Sequence, residues 1–312
     1  GKQITLLVGG GPGGGYDVYA RTFAPFYGNH IPGNPRITVE NMVGASGLRV
    51  ANYIANAAAK DGTVIAISLS SVPTAPLLSP EGVNFDVRKM SWIGSITKDS
   101  FVGYVWHTSQ IQTLDDLKTK EVVMGADAVG AEGADMAILA KELFGLKIKL
   151  VLGYPDSMSV KLAMEKGEVE GTFANSWVDL KTGKADWLRD HQIRVIVQHG
   201  LERHRDLPDV PLLIDLAKTP DDRAAVELLA VRQEYNKPFF APPGLQPERL
   251  AILRRAFDAA VGDPAFLQAA DKAKLDIYEP MRGEDLAAKV AEVAKTAPIV
   301  VQRITQMFAK YK

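Results

Sequence analysis

Short apolar, β-branched runs alternate along the chain with stretches in which apolar side chains recur at i, i+3/i+4 and i+7. The first pattern predicts strands and the second predicts helices that bury one face. Strands are expected at Gln3–Val8, Arg36–Glu40, Thr63–Leu69, Phe101–Trp106, Glu121–Met124, Lys147–Leu152, Val169–Ala174, Ile193–Gln198 and Pro238–Pro242. Met136, Leu139, Ala140 and Leu143 mark one helical face, and Leu250, Leu253, Phe257 and Val261 another. Repeated strand–helix units predict the α/β class, with mainly parallel sheets.

The pattern contains an internal echo. Thr5-Leu6-Leu7-Val8 leads into a glycine-rich loop, then Asp17, then a helix closing at Gly28; Glu121-Val122-Val123-Met124 leads into a glycine- and alanine-rich loop, then Asp135, then a helix closing at Gly145. From strand end to aspartate is 9 residues in one copy and 11 in the other, and from aspartate to glycine 11 and 10. The same device is built twice, once per domain. Composition shifts near Ile96–Ser100 and within Leu201–Arg232 set the boundaries, and Pro238–Gly244 reads as a strand returning to a sheet. The expected division is lobe 1 from 1–98 and 226–312, carrying both termini, and lobe 2 from 99–225. That is a hinged two-lobe plan with a ligand cleft.

Gly9-Gly10-Gly11-Pro12-Gly13-Gly14-Gly15 follows the first strand directly, with a helix starting near Tyr16-Asp17. Bare backbone N–H groups at a helix N-terminus attract a carboxylate or phosphate, and no basic residue occurs from Ile4 to Ala20. If Gly14 sits at φ > 0 with its backbone toward a ligand, a side chain there both strains and blocks the loop. Asp17 reads as a helix cap or first-turn carboxylate and, compatibly, as a group ordering water or a ligand hydroxyl or ammonium at the floor of the site. Gly9, Gly11 and Gly14 also satisfy G-x-G-x-x-G, and Glu40 ends the next strand, so a Rossmann-like nucleotide-binding enzyme is the alternative. Against it, Pro25 interrupts the expected helix, Gly28–Pro35 is long for a crossover, and nothing downstream assembles a hydride-transfer site.

The 312 residues are enough for two domains. Thirty-six Lys+Arg against 37 Asp+Glu leave a net charge of −1, so no global field recruits nucleic acid or an anionic membrane. With no cysteine there is no thiol chemistry, disulfide or cysteine-held metal. The longest apolar stretch, Thr63–Leu78, is broken by serines, Pro73, Thr74 and Pro76, well short of the roughly 20 residues that span a bilayer. His30, His107, His191, His199 and His204 are scattered, and no H-E-x-x-H, G-x-S-x-G or phosphate-loop pattern occurs; Gly183-Lys184 runs into Ala185. A binding protein without metal or cofactor is expected, rather than an enzyme. Gly1-Lys2-Gln3 precedes the first apolar run too closely for a signal peptide, which leaves either no leader or a mature form.

Taken in order, Pro12-Gly13-Gly14-Gly15-Tyr16-Asp17, Ala20-Arg21, Val39-Glu40-Asn41-Met42-Val43-Gly44-Ala45-Ser46-Gly47, Lys60-Asp61-Gly62-Thr63, Gly153-Tyr154-Pro155, Ala163-Met164-Glu165-Lys166-Gly167-Glu168-Val169, Leu207-Pro208-Asp209-Val210-Pro211 and Ala241-Pro242-Pro243-Gly244 resemble the Bug-type (TctC) solute-binding proteins of tripartite tricarboxylate transporters. The resemblance spans nearly the whole chain. It implies a periplasmic, monomeric binding protein of the type II fold, matured by removal of its signal peptide, that closes on a small organic acid and hands it to membrane permease subunits. By the same resemblance, ligand contacts fall on Gly11, Gly13, Gly14 and Asp17, on Gly44, Ala45 and Ser46, and on Ser70 and Ser71. From the other lobe come the loop Ala126–Gly133, with Ala126, Asp127 and Gly130, then Tyr154, Asn175 and Ser176.

Two departures bear on the ligand. Gly9-Gly10 stand where the family often carries Pro-Phe, which implies a roomier pocket without an aromatic wall. Asp127 and Glu132 would repel a second ligand carboxylate, by about 1 kcal/mol per pair at 4 Å in water and about 4 at an effective dielectric of 20, unless they face solvent. Besides transport, a sensor presenting the same ligand to a signalling partner remains open.

Overall fold

The computed structural model describes residues 3–311. Its strands are β1 (Ile4–Val8), β2 (Ile37–Asn41), β3 (Val64–Ile67), β4 (Ser91–Ser95), β5 (Phe101–Trp106), β6 (Val122–Gly125), β7 (Ile148–Val151), β8 (Gly171–Ser176), β9 (Ile193–Gln198), β10 (Pro238–Ala241) and β11 (Met281–Arg282). Its helices are α1 (Gly15–His30), α2 (Leu48–Asn56), α3 (Ala75–Leu78), α4 (Glu132–Phe144), α5 (Ser157–Glu165), α6 (Trp177–Gly183), α7 (Ala185–Arg189), α8 (Pro220–Ala230), α9 (Pro247–Val261), α10 (Pro264–Lys272), α11 (Gly283–Val293) and α12 (Pro298–Ala309). Every strand run read from the sequence pattern overlaps an observed strand. β4 and β11 are additional. β4 lacks a clean signal because its fourth residue must be glycine: a Cβ on Gly94 would lie 2.3 Å from the Phe257 ring.

The chain divides into two compact units, one from residues up to Lys98 with Glu234–Lys295, the other from Asp99–Gln233 with the stretch from Thr296 onward. Segments 226–233 and 296–311, expected in lobe 1, therefore fall in the second unit. Side-chain contacts hold the last segment there. Arg303 of α12 pairs with Asp222 of α8 at 2.7 Å, and the Tyr311 hydroxyl donates to Glu142 of α4 at 2.6 Å.

The first unit holds a six-stranded sheet in the order β11-β4-β10-β3-β1-β2. β2, β1 and β3 run parallel, with Ile4 beside Ile37 and Thr5 beside Val64, and β10 returns antiparallel between β3 and β4. Its core joins Leu6, Val8, Ile65 and Ile67 of the sheet to Tyr19, Phe23 and Tyr27 of α1 and Leu253 and Phe257 of α9. Phe23 is the hub, with ring centroids of Tyr27, Phe239, Phe257 and Phe266 at 5.3, 5.5, 5.3 and 5.0 Å. Burying such rings contributes about 2–3 kcal/mol each.

Pro25 does not interrupt α1, contrary to the sequence expectation. It lies on the exposed side of the helix, where water can take the carbonyl that lost its partner. The buried residues on either side of it, Phe23, Ala24, Tyr27 and Gly28, hold the helix on the sheet. Gly28 must be glycine, since a Cβ there would meet the Pro35 carbonyl at 2.6 Å.

The second unit holds a five-stranded sheet in the order β7-β6-β8-β5-β9. β6 is parallel to β7 and β8, while β5 is antiparallel to β8 and β9. Val102, Tyr104, Met164, Leu180 and Trp187 form part of its core.

Candidate functional site

Because β1, β2 and β3 are parallel, the loops after them leave from one edge of the first sheet. Backbone bonds lock them side by side: Gly9 N donates to Ile67 O at 2.9 Å and Met42 N to Val8 O at 2.8 Å. Ser68 is the keystone. Fully buried, it donates from Oγ to Gly47 O at 3.3 Å, and a Cβ on either Gly9 or Gly47 would lie 2.4 Å from that oxygen. Nothing in the sequence marks Ser68 beyond its place at a strand end.

On this edge Gly11, Gly13 and Gly14 are exposed. The left-handed residue is Gly13, at φ +75°, one position before the expected Gly14, whose φ is −74°. Gly14 is the N-cap of α1 and supplies no side chain, so the first turn keeps its open N–H groups and partial positive charge. Ala45 and Ser46, also exposed, both take positive φ (47° and 49°), between Gly44 at 148° and Gly47 at 84°. Such a run costs on the order of 1–2 kcal/mol per non-glycine residue and holds the turn in an otherwise unfavoured shape.

The Asp17 carboxylate is buried and saturated within the loop. It accepts from Gly13 N at 2.8 Å, from Arg21 Nε at 2.9 Å to both oxygens, and from Asn41 Nδ2 at 2.9 Å. Asn41 Nδ2 also donates to Gly10 O at 3.0 Å. Burial raises the Asp17 pKa, but the bonds from Arg21, Gly13 and Asn41 outweigh it and leave the carboxyl below its ordinary value. The geometry is that of a first-turn carboxylate, and with these bonds Asp17 shapes the glycine loop.

Ser70 and Ser71 are buried. Ser70 N donates to the Tyr16 hydroxyl at 3.1 Å, which donates in turn to Asn236 O at 3.0 Å, and Ser71 O accepts the Thr74 hydroxyl at 2.9 Å. A Cβ on Gly10 would touch the Tyr16 Cβ at 3.2 Å, so an aromatic residue does stand beside the two glycines, supplied by Tyr16. The basic residue absent from Ile4–Ala20 arrives from far along the chain. Lys237, directly before β10 and 4% exposed, places Nζ 4.4 Å from the Tyr16 ring centroid and 5.2 Å from that of Tyr19.

In the second unit, the loops after β6 and β7 and the last two residues of β8, all three strands being parallel, likewise share one edge, carrying Ala126, Asp127 and Gly130, then Tyr154, then Asn175 and Ser176. Asp135 repeats the part played by Asp17: Gly130 N donates to its Oδ1 at 2.8 Å, and Arg232 to its Oδ2 at 2.8 Å. Ala126 is buried and accepts from Tyr154 N at 3.3 Å. Ser176 is occupied as the cap of α6, accepting from Asp179 N at 3.1 Å and donating to Asp99 at 2.5 Å. Asp127 does not simply face solvent. Its Oδ1 is buried without a hydrogen-bond partner among the described residues. Burial, aided by the charge of Asp135, outweighs backbone bonds from Ala134 and its own N–H and pushes its pKa to about 6. Asn175, 8% exposed, also has an unpartnered Oδ1.

Among the described residues no group of three or more His, Asp or Glu side chains is placed to hold a metal ion. No described helix is long and apolar enough to cross a membrane.

Comparison with known proteins gives one family: the model of the tripartite tricarboxylate transporter family receptor, TctC, matches residues 30–305. No curated protein sequence matches the chain. Among solved structures, it is similar to a ligand-free TctC solute binding protein from Polaromonas (18% identity, 99% of this chain and 98% of that one, TM-score 0.70). It is similar also to MatC from Rhodopseudomonas palustris with bound malate (18%, 99% and 97%, 0.65), and to an R. palustris protein with adipate (20%, 98% and 97%, 0.71). At these identities the likeness is one of fold.

Proposed function

Since the chain belongs to the TctC family of tripartite tricarboxylate transporter receptors, we propose that it is a periplasmic solute-binding protein that captures a small organic carboxylate and presents it to the permease of a tripartite transporter. The observation that carries the reading is the open N-terminus of α1. Its first turn has no side-chain cap, it is framed by exposed Gly11, Gly13 and Gly14, and the acid of its first turn, Asp17, is turned inward and saturated. A carboxylate is drawn to such a seat by backbone donors and the helix dipole. The malate and adipate in the two R. palustris structures supply the first ligands to try. The chain performs no chemistry in this reading: the ligand is held and released unchanged.

A thermal-shift panel of malate, adipate, aromatic acids and NAD tests it, because ligand at 100 times its Kd adds about 2.7 kcal/mol of stability. One or more carboxylates should raise Tm and NAD should not. Stabilisation by NAD alone would establish the nucleotide alternative instead. Gly11→Val then locates the seat: a Cβ there meets nothing within 4 Å, so the variant folds, and its side chain stands over the loop. Calorimetry should find binding lost. Parental affinity would place the carboxylate elsewhere.

A further inference from the structure

Lys237 is a cation that the protein itself leaves unbalanced. Its side chain is buried, and its ammonium rests over the faces of Tyr16 and Tyr19. Among the described residues no carboxylate lies within ion-pair distance of it and no acceptor within hydrogen-bond distance. Ring faces attract a cation but carry no net charge to offset it, so an anion that reaches the ammonium still gains by pairing with it. Its location gives that a use. Tyr16 is the second residue of α1, it touches the glycine loop beside Gly10, and its hydroxyl takes the N–H of Ser70 in the loop after β3. The unpaired charge is thus built against the open helix end at which the carboxylate is proposed to sit.

We propose that Lys237 is the charge that makes this seat selective for an anion: the ligand's carboxylate is its missing counter-ion, so the protein takes organic acids and rejects their neutral amides. The inference rests on the receptor reading above and adds the group that decides ligand charge. The two tyrosines keep the ammonium in place when no ligand is bound. Removing the charge while keeping the volume should therefore have opposite effects on stability and on binding. Lys237→Met takes an unbalanced charge out of the interior and should not lower the Tm of the free protein, yet it should weaken capture of the acid.

The experiment is calorimetric titration of the parent, Lys237→Met and Lys237→Arg with adipate, malate and adipamide. In the parent, the dicarboxylate that binds best should do so far more tightly than the diamide. Lys237→Met should lose on the order of 100-fold in affinity for that acid, as truncating one partner of a buried charge pair does, and should no longer discriminate acid from amide. Lys237→Arg, which keeps the charge, should keep the preference. Parental affinity in Lys237→Met overturns the inference, as does an equal loss for acid and amide, which would mark the lysine as a packing residue. If the Met variant fails to fold, Lys237→Gln is read by the same criteria. A parent that binds no carboxylate overturns the receptor reading and the inference with it, whereas a parent that binds acids beside an unaffected Met variant overturns the inference alone.

Discussion

In the first unit the Asp17 carboxylate takes the Gly13 N–H and is held by Arg21, four residues along the same helix, with the arginine side chain 50% exposed. In the second the Asp135 carboxylate takes the Gly130 N–H and is held by Arg232, 97 residues away, with both side chains essentially inaccessible at 2% and 0%. Two copies of one strand–loop–helix device are closed by arginines of opposite kind. A local, water-shared clamp forms as soon as its helix does and contributes little beyond loop shape. A buried clamp closed from a distant segment carries a large desolvation cost and ties the loop to the chain just after α8, so removing half of it exposes that cost.

The largest effect therefore belongs to Arg232. Arg232→Met should destabilise the protein by about 3–5 kcal/mol, because it removes one partner of a buried ion pair. Arg232→Met with Asp135→Leu should recover much of that loss, and urea denaturation of the two single variants and the double variant reads the coupling. A single-variant loss below about 1 kcal/mol would erase the contrast between the two devices.

That contrast also marks what a sequence can and cannot disclose. The spacing from strand end to aspartate exposed both devices, since a βα unit with a glycine-bearing loop leaves a local imprint. Arg21 lies within reach of a helical i, i+4 reading. Arg232, Lys237 and Ser68 do not, because their partners come from strands and helices brought together only by the sheet order, and one Lys or Arg among 36 carries no flag. The same limit applies to β4, whose Gly94 answers a phenylalanine on α9. It also moved the positive φ of the loop from Gly14 to Gly13: a run of glycines shows that such a residue exists, and the carboxylate of Asp17 picks which one. The packing of the last segment was not legible, because Arg303 of α12 and Tyr311 after it are held by Asp222 and Glu142, acids that say nothing of their partners in one dimension.

The devices differ a second time in their loops, since the one in the second unit carries Asp127 where the first has only glycine and Pro12. The pKa of Asp127 is about 6 against an ordinary 3.8, so the native state binds the proton more tightly than the unfolded chain. Any stability drawn from that proton is present below about pH 4 and lost as pH rises through 6. Two pK units set a ceiling of about 3 kcal/mol, and solvent at the half-buried rim reduces it to about 1. Asp127→Asn should accordingly stabilise the protein at pH 8 by about 1 kcal/mol and not at pH 4, measured as the difference from the parent. The difference matters because His199, fully buried with its pKa depressed to about 4, acts oppositely: its contribution is present above about 6.5 and lost as pH falls toward 4. No gain at pH 8 would show that Asp127 is ionised at little cost.

The smallest effect is expected at the local clamp. Arg21→Gln removes an i, i+4 pair whose arginine is half in water, and such pairs contribute about 0.3–0.5 kcal/mol. Asp17 keeps the Gly13 N–H and Asn41, so the loop should hold its shape and carboxylate affinity should change less than about threefold. Asn41→Ala should cost more, about 1 kcal/mol, because the amide bridges Asp17 to the Gly10 carbonyl and its loss leaves that acceptor without a donor. The order of the pair has a pH signature. Asp17 sits below its ordinary pKa, so its contribution is present at neutral pH and lost as pH falls below about 4; Arg21→Gln should narrow that acid loss while leaving stability at pH 7 nearly unchanged. Should Arg21→Gln instead cost as much as Arg232→Met, exposure would not govern the strength of these clamps, and the difference between the two devices would have to lie in their loops.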